Sequence, residues 1–353
     1  MAKMKKYIFY LTIQFAIICL ILNCSGKDNV TVYVAGYEKN GDVYFAKIWK
    51  NGRGENLSDG SPYAEANSIF ISNNDVYVVG VQNERPIQWI NGIEKKFTDS
   101  YFGSAQSILL SNTDVFIAGY QQGKDAPVRA KYWKNGKAVS PTGGFHANSI
   151  ATLGKDVYVV GSAWPDFGSA WSESDSTLSL SSGFRLVAKM WKNGKGINLT
   201  DQKRHSEANS IYISGKDIYI TGTEFTGRTF IAKVWKNGKA TNLINDEFAT
   251  IAKSIYVTGD DVYVAGFIWK EIGGNKIATY WKNDVAIPLS NEWYESEANS
   301  IFVLGNDVYV AGYEYDGKKM KAAYWKNGKA KYLTNGKYRA KANSIYVINN
   351  NER

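Results

Sequence analysis

Three observations on this 353-residue sequence predict an all-β fold, a seven-bladed β-propeller with four-stranded blades. A tryptophan recurs at blade spacing, strand-like runs alternate with turn signals, and each chain end carries part of one blade. The tryptophans are Trp49, Trp89, Trp133, Trp191, Trp235, Trp281 and Trp325, separated by 40, 44, 58, 44, 46 and 44 residues. That period suits propeller blades and also two-helix HEAT-type repeats. Composition decides between them. Runs such as Asp307-Val308-Tyr309-Val310-Ala311-Gly312 are rich in β-branched and aromatic residues and end in Gly, Asn or Asp. No 3.6-residue periodicity supports helices.

Each unit supplies four strands. In the fifth, strand a is Asn209 to Ile213, b is Asp217 to Gly222, c is Ile231 to Lys236 and d is Ala240 to Leu243. Asn-Gly after the tryptophan joins c to d, because a two-residue hairpin turn needs positive φ at both central positions. Two units depart from this pattern, with Ile90 in place of the lysine and Asp284 in place of the glycine. A Ser-Ile pair marks strand a at Ser68, Ser107, Ser149, Ser210, Ser254, Ser300 and Ser344. This serine is expected to hold blades together by hydrogen bonding. The residue before it, Asn except at Gln106 and Lys253, is expected near the channel mouth.

The ends are complementary. The chain after its leader begins with a b strand, Val30 to Gly36, and finishes with an a strand, Asn343 to Ile348. Pairing the two rebuilds a complete first blade and closes a ring, whereas an open solenoid would need polar caps. The arrangement resembles bacterial propeller repeats of the NHL and related classes, which have a strand of the Val-Tyr-Val-Ala-Gly type, over nearly all of residues 29 to 350. It lacks the Gly-His and Trp-Asp dipeptides of WD40 blades, the double glycine of kelch repeats and the Ser-x-Asp-x-Gly-x-Thr-Trp box of sialidases. The resemblance implies architecture and no activity.

An address precedes the propeller. Lys3, Lys5 and Lys6 lead into an apolar stretch from Tyr7 to Leu22, the order of a secretory signal. Ile21-Leu22-Asn23-Cys24 resembles the lipobox of bacterial lipoproteins, with Asn23 where Gly, Ala or Ser is usual. The resemblance implies a signal peptide over 1–23, acylation of Cys24, a lipidated tether over 24–29 and a propeller over 30–350. An uncleaved anchor and an ordinary secretory signal are the alternatives. The two or three acyl chains of a lipoprotein would hold it to a membrane, at roughly 0.8 kcal/mol per buried CH₂. The expected location is the cell envelope, in the outer membrane or at the cell surface rather than the inner membrane. Cleavage would leave Cys24 as the one mature cysteine, so no disulfide is expected.

The formal charge is +9, or 9 − 3 = +6 without the leader lysines, and much of it sits in the repeated Lys-x-Trp-Lys-Asn-Gly-Lys pattern. Charge that repeats with the fold reads as solvated surface. Lys47, Lys131, Lys189 and Lys233 fall on the tryptophan side of strand c, where their stems can pack along the blade. No nucleic-acid partner is expected, and the chain is expected to be a monomer.

Strand parity puts the b-to-c and d-to-a connections on one face and the a-to-b and c-to-d turns on the other. The four tryptophans outside the repeat, Trp164, Trp171, Trp269 and Trp293, all fall in connections of the first face, as do His146 and His205. With Tyr294 they are the candidate residues for binding a glycan or a protein. Tyr63, Phe102, Phe248 and Tyr338 recur before the inner strands, as plugs between blades would. Unit four carries a serine-rich insertion within 162–185.

Catalysis has weaker support. Glu65, Glu207 and Glu297 stand two residues before the inner-strand Asn, and Asp59, Asp99 and Asp201 follow a Ser or Thr as turn residues do. Asp246, Glu247, Glu292 and Glu295 complete the carboxylates of this face. A carbohydrate-active enzyme, hydrolase or lyase, using two of them is the alternative to a binding module. No nucleophile elbow, paired-histidine metal motif or phosphate-cradling loop occurs, so no catalytic residue, metal or cofactor is assigned.

Overall fold

The computed structural model describes residues 29–98, 101–165, 185–243, 248–271 and 274–352. The leader, Cys24, Asp99, Trp171, Asp246, Glu247 and most of the 162–185 insertion lie outside the described residues.

Seven four-stranded antiparallel sheets follow one another, each ordered a-b-c-d from the inside out. Blade 5 comprises Ser206–Ser214, Asp217–Phe225, Phe230–Lys236 and Lys239–Asn242. Blade 1 is built from both ends of the chain. Arg339–Asn349 lies beside Val30–Asn40, followed by Val43–Lys50 and Arg53–Asn56, so the C-terminal strand closes the ring. The inner strands of blades 2, 3, 4, 6 and 7 are Ala64–Ser72, Phe102–Ser111, Gly144–Leu153, Ala249–Thr258 and Glu295–Leu304. Val32–Val347 forms one compact unit. In the small terminal unit the Asn350 amide donates to the Asn29 carbonyl at 2.7 Å, and Thr31 Oγ1 donates to Asn350 Oδ1 at 3.1 Å.

The repeat tryptophans are the largest fully buried side chains. Each comes from strand c and enters the core shared with the preceding blade. Trp281 of blade 6 packs with Tyr219 and Val234 of blade 5, and Trp325 of blade 7 packs with Tyr263 and Ala278 of blade 6. The Ser-Ile pair stitches the inner edge as expected. Ser210 Oγ accepts from the Ile255 amide of the next blade at 3.3 Å, and Asn209 Nδ2 donates to the Ala252 carbonyl at 2.7 Å. Asn67, Asn148, Asn299 and Asn343 make the same donation one blade onward.

The Asn of Trp-x-Asn does more than bend the hairpin. Asn237 and Gly238 adopt φ of 51° and 83°, the positive values of the expected turn. In addition, Asn237 Oδ1 accepts from the Ile218 amide at 2.9 Å and its Nδ2 donates to Asp217 at 2.8 Å. The neighbouring Lys236 pairs with Asp217 at 3.0 Å and lies 5.1 Å from the centre of the Tyr219 ring. Lys134, Lys192, Lys282 and Lys326 repeat this pairing with Asp114, Asp156, Asp261 and Asp307. Five of the seven blades thus carry a lysine–aspartate pair on the turn face.

The glycine that ends each Val-Ala-Gly run also has a cause. In blades 2 to 7 strand a carries a bulge next to the Ala-Asn pair, as between Ala208 and Ser210. The bulge brings the carbonyl of the residue two before the Asn against strand b. A Cβ on Gly222 would stand 2.0 Å from the Glu207 oxygen, and one on Gly312 would stand 1.9 Å from that of Glu297. Glycine is required there by close approach, not by φ.

Candidate functional site

The same close approach of a carbonyl to the strand-b glycine marks seven residues where the inner strands begin, at the face of the d-to-a connections. In blade order they are Lys341, Glu65, Ser104, His146, Glu207, Ile251 and Glu297. Five of the seven are ionisable, so the mouth of the ring carries a belt of charge. The three glutamates share one repeat position in the sequence. The structure adds that a lysine and a histidine occupy the same position in other blades. His146 is therefore part of an inner strand, paired with Ser162, and not a loop residue as strand parity had placed it.

Glu297 is the centre of this belt. It is buried, accepts from Lys253 and from Lys276 at 2.6 Å, and has the Lys341 ammonium 3.8 Å away. Burial by itself would raise its pKa, but the ammonium groups of Lys253 and Lys341 outweigh that and hold it at about 2. Lys253 stands where other blades have Asn, and it also reaches Asn299 Oδ1 at 2.9 Å. Burial depresses it to about 8 against the pull of Glu297. Across Lys341, burial raises the Glu65 carboxyl while Lys341 and Tyr63 pull it back.

Lys276 ties this belt to the aromatic residues. Its Nζ lies 5.3 Å from the ring centres of both Phe267 and Trp269, and 3.5 Å from Glu295. Trp269 is the last residue of Asp261–Trp269 and pairs with Lys276, so it belongs to the sheet rather than to a loop. Trp293 is 77% exposed and Tyr294 48% exposed. Their backbone is nevertheless pinned. Asn275 Nδ2 donates to the carbonyls of Glu292 and Trp293 at 3.2 and 3.0 Å, Trp293 N donates to Asn291 at 3.1 Å, and Lys270 pairs with Glu292. Trp269, Trp293 and Tyr294 therefore gather in one sector of blades 6 and 7.

Glu295, the residue after Tyr294, lines a cavity of about 420 Å³ together with Tyr313, Tyr315, Met320, Arg339, Lys318, Lys319, Gly336 and Lys337. Tyr313 OH donates to Glu295 at 2.8 Å, and burial followed by the charge of Glu297 pushes that phenol upward. Sequence reasoning missed this cavity because its lysines look like the repeat lysines until their partners are known.

The remaining described candidates, His146, Trp164 and His205, lie on blades 4 and 5. His146 lies against Phe145 and Tyr120 at 4.1 and 4.3 Å between ring centres, and Phe145 meets Trp164 at 5.0 Å. Burial lowers the His146 pKa to about 4, with Glu207 opposing. His205 Nε2 lies 3.4 Å from Glu207, and its Nδ1 accepts from the Leu186 amide at 3.3 Å. Glu207 thus acts on both histidines. Of the recurrent aromatics, Tyr63 is 39% exposed and packs on Tyr44 at 5.4 Å, while Phe102 packs on Tyr120 at 6.2 Å. Among the described residues no group of three His, Cys, Asp or Glu side chains is arranged to hold a metal ion.

No protein-family model matches the chain, and no curated protein does. Among solved structures it is similar to the β-propeller domain of the Trilobed protease from Pyrococcus furiosus, at 13% identity and a TM-score of 0.49, covering 88% of this chain and 95% of that one. It is similar to the Pyrococcus horikoshii acylaminoacyl peptidase at 12% identity and a TM-score of 0.49, over 86% of this chain and 53% of the peptidase, about half its length. A polysaccharide lyase, an ulvan lyase, is similar at 10% identity and a TM-score of 0.48, over 84% of this chain and 90% of its own. These proteins differ in activity, and what the likeness concerns is propeller architecture.

Proposed function

We propose that this chain is a non-enzymatic binding module of the cell envelope, anchored through acyl chains on Cys24, that takes a glycan on the face of its d-to-a and b-to-c connections. One observation carries this reading: Trp293 and Tyr294 are exposed on a pinned loop that leads in sequence into Glu295, which lines a cavity of about 420 Å³. Sugars present apolar ring faces edged with hydroxyls, and they suit exposed aromatic rings beside a polar recess. The backbone is held before any ligand arrives, which lowers the ordering cost of binding. An array of glycans probed with the purified chain tests the reading. Specific binding is expected, weakened about tenfold or more by Trp293→Ala with the melting temperature unchanged. A blank array would overturn the glycan and leave a protein ligand to be sought by crosslinking.

One observation favours the second reading, a carbohydrate-active enzyme. Glu65 is shifted up and Glu297 down on either side of Lys341, the separation that distinguishes an acid from a base. Product released from a bound polysaccharide, and abolished by Glu65→Gln, would replace the binding module with an enzyme.

A further inference from the structure

The turn face sets a standard against which other charges can be judged. There, Lys134, Lys192, Lys236, Lys282 and Lys326 each meet the aspartate that opens strand b. The cavity lined by Glu295 and Arg339 has a different balance. Four cations, Lys318, Lys319, Lys337 and Arg339, line it with one carboxylate, Glu295. That carboxylate is already engaged by Tyr313 at 2.8 Å and by Lys276 at 3.5 Å. Arg339 Nε donates to Met320 Sδ at 2.9 Å, an uncharged acceptor, and Lys337 lies 4.9 Å from the centre of the Tyr338 ring.

The loop that presents two of these lysines is locally fixed. Asp316 Oδ1 accepts from the amides of Lys318 and Lys319 at 3.0 and 2.8 Å, Asp316 N donates to the Lys319 carbonyl at 3.3 Å, and Tyr315 OH donates to the Gly317 carbonyl at 2.9 Å. Asp316 also pairs with Lys321, 3.6 Å away, and does not itself line the cavity. Four like charges are thus held around one recess, where each raises the energy of the others until an anion enters.

We infer that the ligand of this cavity is an acidic polysaccharide, whose carboxylate or sulfate oxygens are taken by Lys318, Lys319 and Arg339 while Tyr315 offers a ring face. The inference rests on the glycan reading above and adds the charge of the sugar. The guanidinium of Arg339 suits a two-oxygen contact, whereas the lysines supply mobile point charges. Uronate and sulfate esters share this chemistry, and the probes separate them.

The test measures binding of the purified chain to polygalacturonate, dextran sulfate and neutral dextran, at low and at about 0.5 M ionic strength. Binding to one or both polyanions but not to dextran is expected, falling with salt. The combined variant Lys318→Gln, Lys319→Gln and Arg339→Gln is expected to bind about tenfold or more weakly with unchanged melting. The turn-face variant Lys236→Gln, Lys282→Gln is expected to bind as the parent does. Equal loss in both variants would reduce the effect to general basicity and overturn the inference. Dextran bound as well as the polyanions, with Trp293 required and the three cations dispensable, would also overturn it while sparing the glycan reading. Polyglutamate bound in place of every polysaccharide would overturn both and point to an acidic protein.

Discussion

The turn face and the loop face are made by the same seven repeats and obey different rules. On the turn face each blade spends its polar groups on itself. Asn237 satisfies an amide, a carboxylate and the hairpin bend at once, and Lys236 neutralises the same Asp217. On the loop face the polar groups act between blades, as Glu297 does in gathering Lys253 and Lys276 from blade 6 and Lys341 from blade 1. Pairing within a blade repeats around the ring, whereas sharing between blades differs from one sector to the next and lies on the face that carries the exposed Trp293 and Tyr294. Periodicity is therefore informative in reverse, and chemistry is expected where the repeat stops repeating.

The largest effect should separate scaffold from surface. Trp235 is fully buried, and its indole donates to the Leu199 carbonyl at 3.1 Å. Trp235→Ala is expected to cost about 3–5 kcal/mol in urea unfolding, whereas Trp293→Ala should stay within about 0.5 kcal/mol. Comparable losses would mean that Trp293 belongs to the scaffold.

A smaller effect should come from the inter-blade charges. Glu297→Gln removes the carboxylate that three partly solvated lysines share, at a cost of about 2–3 kcal/mol near neutral pH. The sign with pH follows from its depressed pKa. The stability Glu297 contributes is present above the unfolded value of 4.5 and is lost as pH falls through about 2, so wild type and variant should converge there. A gap independent of pH in this range would show that packing, not charge, is what the substitution removed.

The smallest effect concerns His146 on blade 4. An unfolded His146 takes a proton below about 6.5 and the folded one near 4, so between these values the unfolded state binds more protons and stability declines as pH falls. The decline attributable to this side chain is about 1–2 kcal/mol between neutral pH and about pH 5. His146→Gln should remove it, as read from melting temperature against pH. An unaltered profile would place His146 in contact with water.

Much of the architecture was legible because propeller blades impose local rules. Trp-x-Asn-Gly marks the c-to-d hairpin, Ser-Ile marks the inner strand, and the split between Val30–Asn40 and Arg339–Asn349 announces ring closure. The candidate residues were legible only in part. Trp293 and Tyr294 stand on the exposed loop that parity assigns to them, while His146 and Trp269, which parity also assigns to loops, lie in strands. Parity counts from strand ends, and a bulge or a longer strand moves those ends without any mark in composition.

By itself the sequence determined the number of blades, the order of strands, the closure and the buried tryptophans, since each follows from spacing and from the preferences of residues near one another along the chain. Only the tertiary structure decided which charges cancel. Lys236 and Lys319 look alike as letters, yet one meets an aspartate across its own blade and the other lines a recess with three further cations. Pairing depends on which side chains the ring brings within a few ångströms, and Lys253 with Glu297, or Lys341 with Glu297, are partners that the packing of neighbouring inner strands brings together.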